Sequence, residues 1–363
     1  MQFSVSKSAL THALALVGQV VEKRSTIPIL GNVKLHAEEN SLTITGTDLE
    51  ISLTVRVEAK VTEPGTATLP AKKLLNYSRL LAEGDVKFKV DDKSSWATIT
   101  AGRSRTRIAG MSAESFPEMP VTPVSVLSVP VVSLLLLINR AKFAITTVES
   151  RFTLNGAQFE YREGKLYLIA TDGHRLAFCS AEMPGDGSAK FILSSAAIKN
   201  LPRVVDGVES LAISQDDNHL FFRSGEVLLV SRKLVGNFPD YQRVLPKASA
   251  IVVTLDRQEV AGALSRVAQF ADERSRAVKI SLKDGELEVS ATSVESGEST
   301  EAVPCDYSGA KIEAGFNAQY LSEFLGVVET ETVTIHLNDA KSAAEFRPAG
   351  ADDYRYVVMP MRI

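Results

Sequence analysis

Three landmarks return about every 122 residues along this chain, so its 363 residues must fold as three like units and not as one irregular body. The first landmark is an alternating strand that ends in a polar turn: LTITGTD from Leu42, LYLIATD from Leu166 and LEVSATS from Leu287. Each follows a pair suited to a tight hairpin, Glu39-Asn40, Glu163-Gly164 or Asp284-Gly285. The second is a strand that feeds a short helix, with Pro70, Ser194 and Asn317 at equivalent places, all three suited to a helix start. The third is an opening amphipathic helix, marked by Leu10, Leu14 and Val17, then Leu137, Ala141 and Ala144, then Val260, Leu264 and Val267. The capping box Asp256 to Glu259 opens the last of these.

The pattern predicts an α+β chain of three repeated domains, at 1–121, 130–247 and 248–363, each built as helix, strands, helix, strands. Six helices are expected, over 7–24, 71–82, 134–148, 195–205, 257–270 and 318–328. Pro202 falls inside the fourth and should shorten or kink it. The pair Phe-Pro, present at Phe116-Pro117 and Phe238-Pro239, has no counterpart in the third unit.

Charge is distributed unevenly over this pattern. The expected helices carry 12 basic residues against 3 acidic ones, whereas the rest of the chain carries 28 against 41. An overall net charge of −4 gives no hint of a polyanion ligand, yet basic helices gathered on one side would face one. Glu is as good a helix former as Lys, so propensity does not explain its scarcity there. The basic strip lacks the aromatic interleaving of a single-strand platform, which points to duplex backbone.

Several other classes are set aside. Cys179 and Cys305 are far apart and form neither a disulfide framework nor a zinc site, which suits the cytoplasm. The start MQFSVSKSAL has no signal-peptide pattern, and the apolar run from Val124 to Ile138 is interrupted by Pro130 and too short to span a membrane. His12, His36, His174, His219 and His336 are scattered without metal-ligand spacing, and no cofactor is expected. There is no phosphate-binding Gly-Lys-Ser/Thr loop. Asp172-Gly173-His174-Arg175 is the one string with an acid-base look, but a strand-ending turn accounts for it more simply and no nucleophile accompanies it. A hydrolase built there, and a repeat adaptor with no DNA role, are the competing readings.

The strings IPILGNV from Ile27, TGTDLE from Thr45, TLNG from Thr153, ATDGHRLA from Ala170, FPDYQRVLP from Phe238, GFNAQYL from Gly315 and YVVMPMRI from Tyr356 run from end to end of the chain. In that order they resemble the bacterial DNA sliding clamps, the beta subunits of DNA polymerase III. The resemblance implies a non-catalytic processivity factor: a head-to-tail homodimeric ring with sheets outside and helices lining a hole for duplex DNA. It implies as partners a clamp loader, DNA polymerases and other DNA-processing proteins that carry short clamp-binding peptides.

Carried over position by position, the resemblance implies a peptide pocket. Its middle-domain residues would be Leu154, Thr171, Gly173, His174, Arg175, Leu176, Pro239, Arg243 and Val244. Its last-domain residues would be Asn317, Tyr320, Val357, Val358, Met359, Pro360, Met361 and Arg362. The DNA-binding set would be Arg24, Lys72, Lys73, Arg79, Arg140, Lys142, Phe152, Lys199 and Arg203, with Ile108 and Phe270 at the dimer seam. Three departures stand out: Phe152-Thr153 replaces an aromatic pair, Ser275 stands where a bulky apolar residue is common, and Ala343 where a hydroxyl is common.

Overall fold

The computed structural model describes residues 1–21, 26–91, 95–124, 127–148, 150–294 and 297–362. The first repeat runs β1 (Gln2–Ser6), α1 (Lys7–Val17), β2 (Asn32–Glu38), β3 (Ser41–Thr47), β4 (Ile51–Glu58), β5 (Lys60–Glu63), β6 (Gly65–Pro70), α2 (Ala71–Leu80), β7 (Asp85–Asp91), β8 (Trp96–Ala101) and β9 (Ser104–Ala109). The second runs β10 (Leu127–Pro130), α3 (Val131–Ala141), β11 (Gly156–Arg162), β12 (Lys165–Thr171), β13 (Arg175–Glu182), β14 (Ala189–Ser194), α4 (Ser195–Val204), β15 (Ser210–Gln215), β16 (His219–Ser224) and β17 (Val227–Arg232). The third runs β18 (Ile251–Asp256), α5 (Arg257–Val267), β19 (Ala277–Lys283), β20 (Glu286–Ser293), β21 (Gly297–Pro304), β22 (Ile312–Asn317), α6 (Ala318–Val327), β23 (Thr332–Leu337), β24 (Ala344–Pro348) and β25 (Tyr354–Val358).

The three repeats match element for element once β5 is set aside. Every opening helix has 11 residues and every second helix 10. The anticipated hairpins are two-residue loops in all three, with Glu38 facing Ser41, Arg162 facing Lys165 and Lys283 facing Glu286. Glu163 and Gly164 both take positive φ, 53° and 70°, as a primed turn between right-twisted strands requires. Gly46 in β3 has a different reason to be small: a Cβ there would come within 2.6 Å of Val17 and 2.8 Å of Val21. Ala170 and Ala291, at its equivalent places, are buried and small as well.

Sheet order shows how repeats join. In each repeat the first strand and the last three form one sheet, and the middle strands form another. The last strand of the second repeat, β17, then pairs with β4, giving an eight-stranded sheet β10-β15-β16-β17-β4-β3-β2-β6. The last strand of the third repeat, β25, pairs with β13 in the same way, giving β14-β11-β12-β13-β25-β24-β23-β18. Two compact units result, Met1–Val132 with Ala196–Lys233, and Ser133–Ser195 with Leu234–Ile363, so each eight-stranded sheet lies wholly in one unit.

Helices bury their apolar stripes against the sheets. In α1, Leu10, Leu14 and Val17 are all but inaccessible, each worth roughly 1.5–3 kcal/mol of burial. Val260, Leu264 and Val267 do the same in α5, whose first turn is capped by Asp256 accepting from the Glu259 amide at 2.8 Å. In α6 Phe324 stacks on Tyr356 at 5.1 Å between centroids, which fixes the helix over β25.

Three helix expectations need correction. The first helix stops at Val17, where Gly18 closes it with a bond from its amide to Leu14, not at 24. The third begins at Val131 and ends at Ala141, followed by a single 3-10 turn over Lys142–Ala144. Val131 and Val132 read as strand because they are β-branched, but directly after Pro130 they form a first helical turn. Pro202 does not shorten α4: it sits in the last turn, and the Val205 amide still bonds to Leu201 beyond it.

Candidate functional site

The turn after β12 is built from its own side chains. Asp172 accepts from the backbone amides of His174 at 2.9 Å and Arg175 at 3.1 Å, and the Thr171 hydroxyl donates to the Arg175 carbonyl at 2.6 Å. The same construction follows β3, where Asp48 accepts from Glu50 and Ile51 and Thr47 donates to Ile51. Gly173 has φ +90°, a conformation that suits glycine, while Leu49 takes φ +76° in the first repeat. The acidic oxygens of Asp172 are therefore committed to a turn. The hydrolase reading of Asp172 and His174 fails on that geometry, for Asp172 acts on its own backbone and on Arg175.

Arg175 ties this turn to the last repeat. It is 8% exposed and its Nε donates to Asp172 at 3.0 Å, while Nη1 pairs with Glu323 of α6. Its guanidinium lies 4.1 Å from the Tyr320 ring centre and 5.4 Å from that of Phe143. Burial disfavours its charge, but Tyr356 and Glu323 more than offset this and hold its pKa above the ordinary value.

Several residues of the expected pocket lie around this anchor. Leu176 and Val357 face each other across the β13/β25 ladder, nearly inaccessible, within one apolar cluster. The Met359 amide donates to the His174 carbonyl at 2.9 Å, and the Met361 amide to the Gly315 carbonyl at 2.8 Å, which sets the last residues against β22. Met359 is 46% exposed and Val244 42%, so both offer apolar surface at the rim. Asn317 caps α6 through bonds from the Gln319 and Tyr320 amides. Leu154 sits half-buried on the turn Phe152–Leu154, and Arg151 links that turn to the Asp172 carbonyl at 2.7 Å. Val358, the next residue along β25, is fully buried. Pro360 is half-buried and Arg362 exposed.

Pro239, Arg243 and Val244 belong to a strap that packs on this apolar cluster through Tyr241. Tyr241 packs with Tyr167, Ile169, Leu176 and Val357, flanked by Phe238, Leu245 and Ala343. Its hydroxyl donates to Glu160 at 3.0 Å. Burial pushes the Glu160 carboxyl up, but Lys190 and the Tyr241 hydroxyl hold it below the usual carboxylate range. Tyr241, Phe238 and Glu160 were not among the residues singled out from sequence. The string FPDYQRVLP contains Phe238 and Tyr241, yet Glu160 lies 81 residues before Tyr241 and Val357 far after it, and no local pattern links them.

The basic helix positions are less uniform than the sequence suggested. Lys72, Lys73 and Arg79 on α2, Lys199 and Arg203 on α4, and Lys142 after α3 are exposed, and Phe152 is 70% exposed. Arg24 lies outside the described residues. Arg140 is occupied instead: it pairs with Asp353 at 2.9 Å and lies 5.3 Å over the Tyr354 ring. At the expected seam, Ile108 is 2% exposed and faces Ala97 within its own sheet, so it offers no surface. Phe270, in the turn Ala268–Phe270, is half-buried. Ser275 is half-buried at the base of the turn organised by Asp272.

Among the described residues no cluster of His, Cys, Asp or Glu could hold a metal ion, and no helix is long and apolar enough to cross a membrane. Three like domains, each built as helix, strands, helix, strands, define a repeat protein of α+β units. Family models describing the N-terminal, central and C-terminal domains of the DNA polymerase III beta subunit match residues 1–120, 128–240 and 242–362. The beta sliding clamp of Pseudomonas aeruginosa is 38% identical over 370 residues and that of Haemophilus influenzae 34% over 367, each covering 100% of both chains. Solved structures of the P. aeruginosa DNA polymerase III subunit beta and the Caulobacter crescentus DNA polymerase sliding clamp superimpose with TM-scores of 0.95. They are 37% and 33% identical over 100% of both chains. The chain belongs to the DNA polymerase III beta subunit family, the DNA sliding clamps, which serve replication as non-catalytic processivity subunits.

Proposed function

We propose that two copies of this chain close head to tail into a ring around duplex DNA and hold polymerases there through the groove between the 171–176 turn and the 357–361 segment. The observation that carries this reading is the joining rule of the sheets. Twice within the chain, the last strand of one repeat pairs with the corresponding inner strand of the repeat before it, β17 with β4 and β25 with β13. The same rule leaves β9 and β21 as edge strands, the last strand of the first repeat and the inner strand of the third. A second copy supplies the missing partner for each, which closes both edges. Charge favours that match: β9 carries Arg105 and Arg107, and β21 carries Glu298, while Glu301 is already held by Arg266 of its own chain.

Each copy divides at 1–121, 130–247 and 248–363, and two copies present twelve helices. Spaced at ~8–10 Å, twelve helices make a circle of about 35 Å between opposing axes, leaving about 25 Å once ~10 Å helix bodies are subtracted. A duplex fits with a layer of water. Lys72, Lys73, Arg79, Lys142, Lys199 and Arg203 then meet phosphates at a distance, without reading sequence. The family resemblance adds Phe152 and Arg24 to this set, and Arg140, whose charge Asp353 already meets, contributes least. A clamp loader opens and closes the ring, in keeping with a sequence that has no phosphate-binding Gly-Lys-Ser/Thr loop. The work is cytoplasmic.

Native mass and a low-resolution image of the purified particle test this reading. A two-copy particle with a central hole is expected; a compact monomer would overturn it.

A further inference from the structure

The strap over residues 238–246 carries the wall of the groove, and it is fastened at both ends by polar bonds. At one end the Tyr241 hydroxyl reaches Glu160. At the other, Arg355 Nη2 donates to the Pro246 carbonyl at 2.8 Å and to Glu345 Oε2 at 2.8 Å. Glu345 is 0% exposed, and Arg347 donates to it as well at 2.7 Å. A carboxylate in that setting is costly to bury unless its charge is met and its lone pairs filled. Burial pushes its pKa up, but Arg355 and Arg347 outweigh that and keep it low, so it stays charged.

The place of this pair is informative. Glu345 faces Val357 across the β24/β25 ladder and Arg355 faces Phe178 across β25/β13, so both lie beside the apolar floor. Two hydrophobic residues in these positions would cover the sheet equally well. They could not hold a backbone carbonyl of the strap at a fixed height above Val357. Arg243 and Val244 are three and two residues from that carbonyl.

We infer that Arg355, oriented by Glu345, is a positioning residue of the partner-peptide groove: it pins the strap at Pro246 and so sets the wall that Val244 and Arg243 present. The inference rests on the groove reading above and deepens it. A wall fixed before binding removes an ordering cost from the encounter, so its loss shows in affinity.

The test uses the full-length dimer and a fluorescently labelled six-residue peptide with one Gln and a Leu-Phe end, titrated by anisotropy. Arg355→Met should weaken binding about tenfold while dimer mass is unchanged. Val244→Ala, costly alone, should cost much less in the Arg355→Met background, because both act through one wall. Arg355→Lys keeps a charge for Glu345 but cannot serve both partners, and should fall between; it also keeps the test sound should the Met variant fail to fold. A purely structural role would lower the melting temperature and leave the two substitutions additive in affinity. Unchanged affinity in Arg355→Met, or strict additivity, overturns the inference. Removal of Met359–Ile363 is the control: if wild type binds no peptide, or the truncated chain binds as well as wild type, the groove reading itself has failed.

Discussion

The guanidinium of Arg175 lies 4.1 Å from the centre of the Tyr320 ring while its Nη1 holds Glu323 one turn further along α6. A strand-end turn of the middle repeat is thereby bolted to the second helix of the last. The contact continues into the sheet, since Tyr320 in turn accepts at its carbonyl from Tyr356 at 3.0 Å.

Removing that cation takes the countercharge from Glu323 and Asp172, leaving Glu323 only its bond from Gln319 and Asp172 only its backbone amides. Arg175→Ala is expected to destabilise the unit by about 3 kcal/mol, as for one member of a buried pair. Urea unfolding followed at the tyrosines measures it, and a loss below about 1 kcal/mol would mean that solvent readily replaces the guanidinium.

The seam calls for two different outcomes from two substitutions. Phe270 is half-buried in a turn that packs on β20 and β21, so Phe270→Arg should leave each chain folded and release monomers, seen by sedimentation. Ile108 is inside its own sheet, so Ile108→Arg should unfold the first repeat instead. A dimeric Phe270→Arg would show that the seam lies elsewhere.

Acid should loosen the strap. Glu160 and Glu345 both have folded-state pKa values held below the ordinary carboxylate value of 4.5. Groups depressed on folding stabilise fully above their unfolded pKa and lose that stabilisation as pH falls through the folded value. Peptide affinity should thus be flat from pH 8 to about 5 and fall only below about 4, near and beneath the unfolded carboxylate pKa. A decline already at pH 6 would implicate a histidine and contradict this assignment.

Much of the fold is written in local pattern. The two-residue loops at 39–40, 163–164 and 284–285, and the helix starts after Pro70, Ser194 and Asn317, need only turn chemistry and capping to be seen. Other features depend on distant partners. Nothing near Arg140 announces that Asp353 and Tyr354 occupy it, and Ile108 looks like any outward residue of an edge strand until Ala97 is set opposite it. The strap is the clearest case. Its bonds join Tyr241 to Glu160 and Pro246 to Arg355, across 81 and 109 residues, so no local pattern reveals what holds it in place.

The exposed lysines should act as a diffuse field. Replacing Lys72, Lys73 and Lys199 with Ala should weaken binding to linear duplex at low salt and reduce the slope of log affinity against log salt by roughly 2 to 3. Arg140→Ala should change that slope far less, because its charge is already met by Asp353. Equal slopes for the triple variant and wild type would show that these lysines do not face phosphate.

Retention on DNA is where the account is most exposed, because contacts this diffuse cannot hold a protein at moderate salt unless the chain is closed around the strand. Protein placed on nicked circular DNA by its loader and ATP should co-elute with the circle in gel filtration at moderate salt, and should be lost once the circle is cut and its ends left free. Equal retention on cut and circular DNA would mean a true grip on the duplex, and the encircling ring would be contradicted.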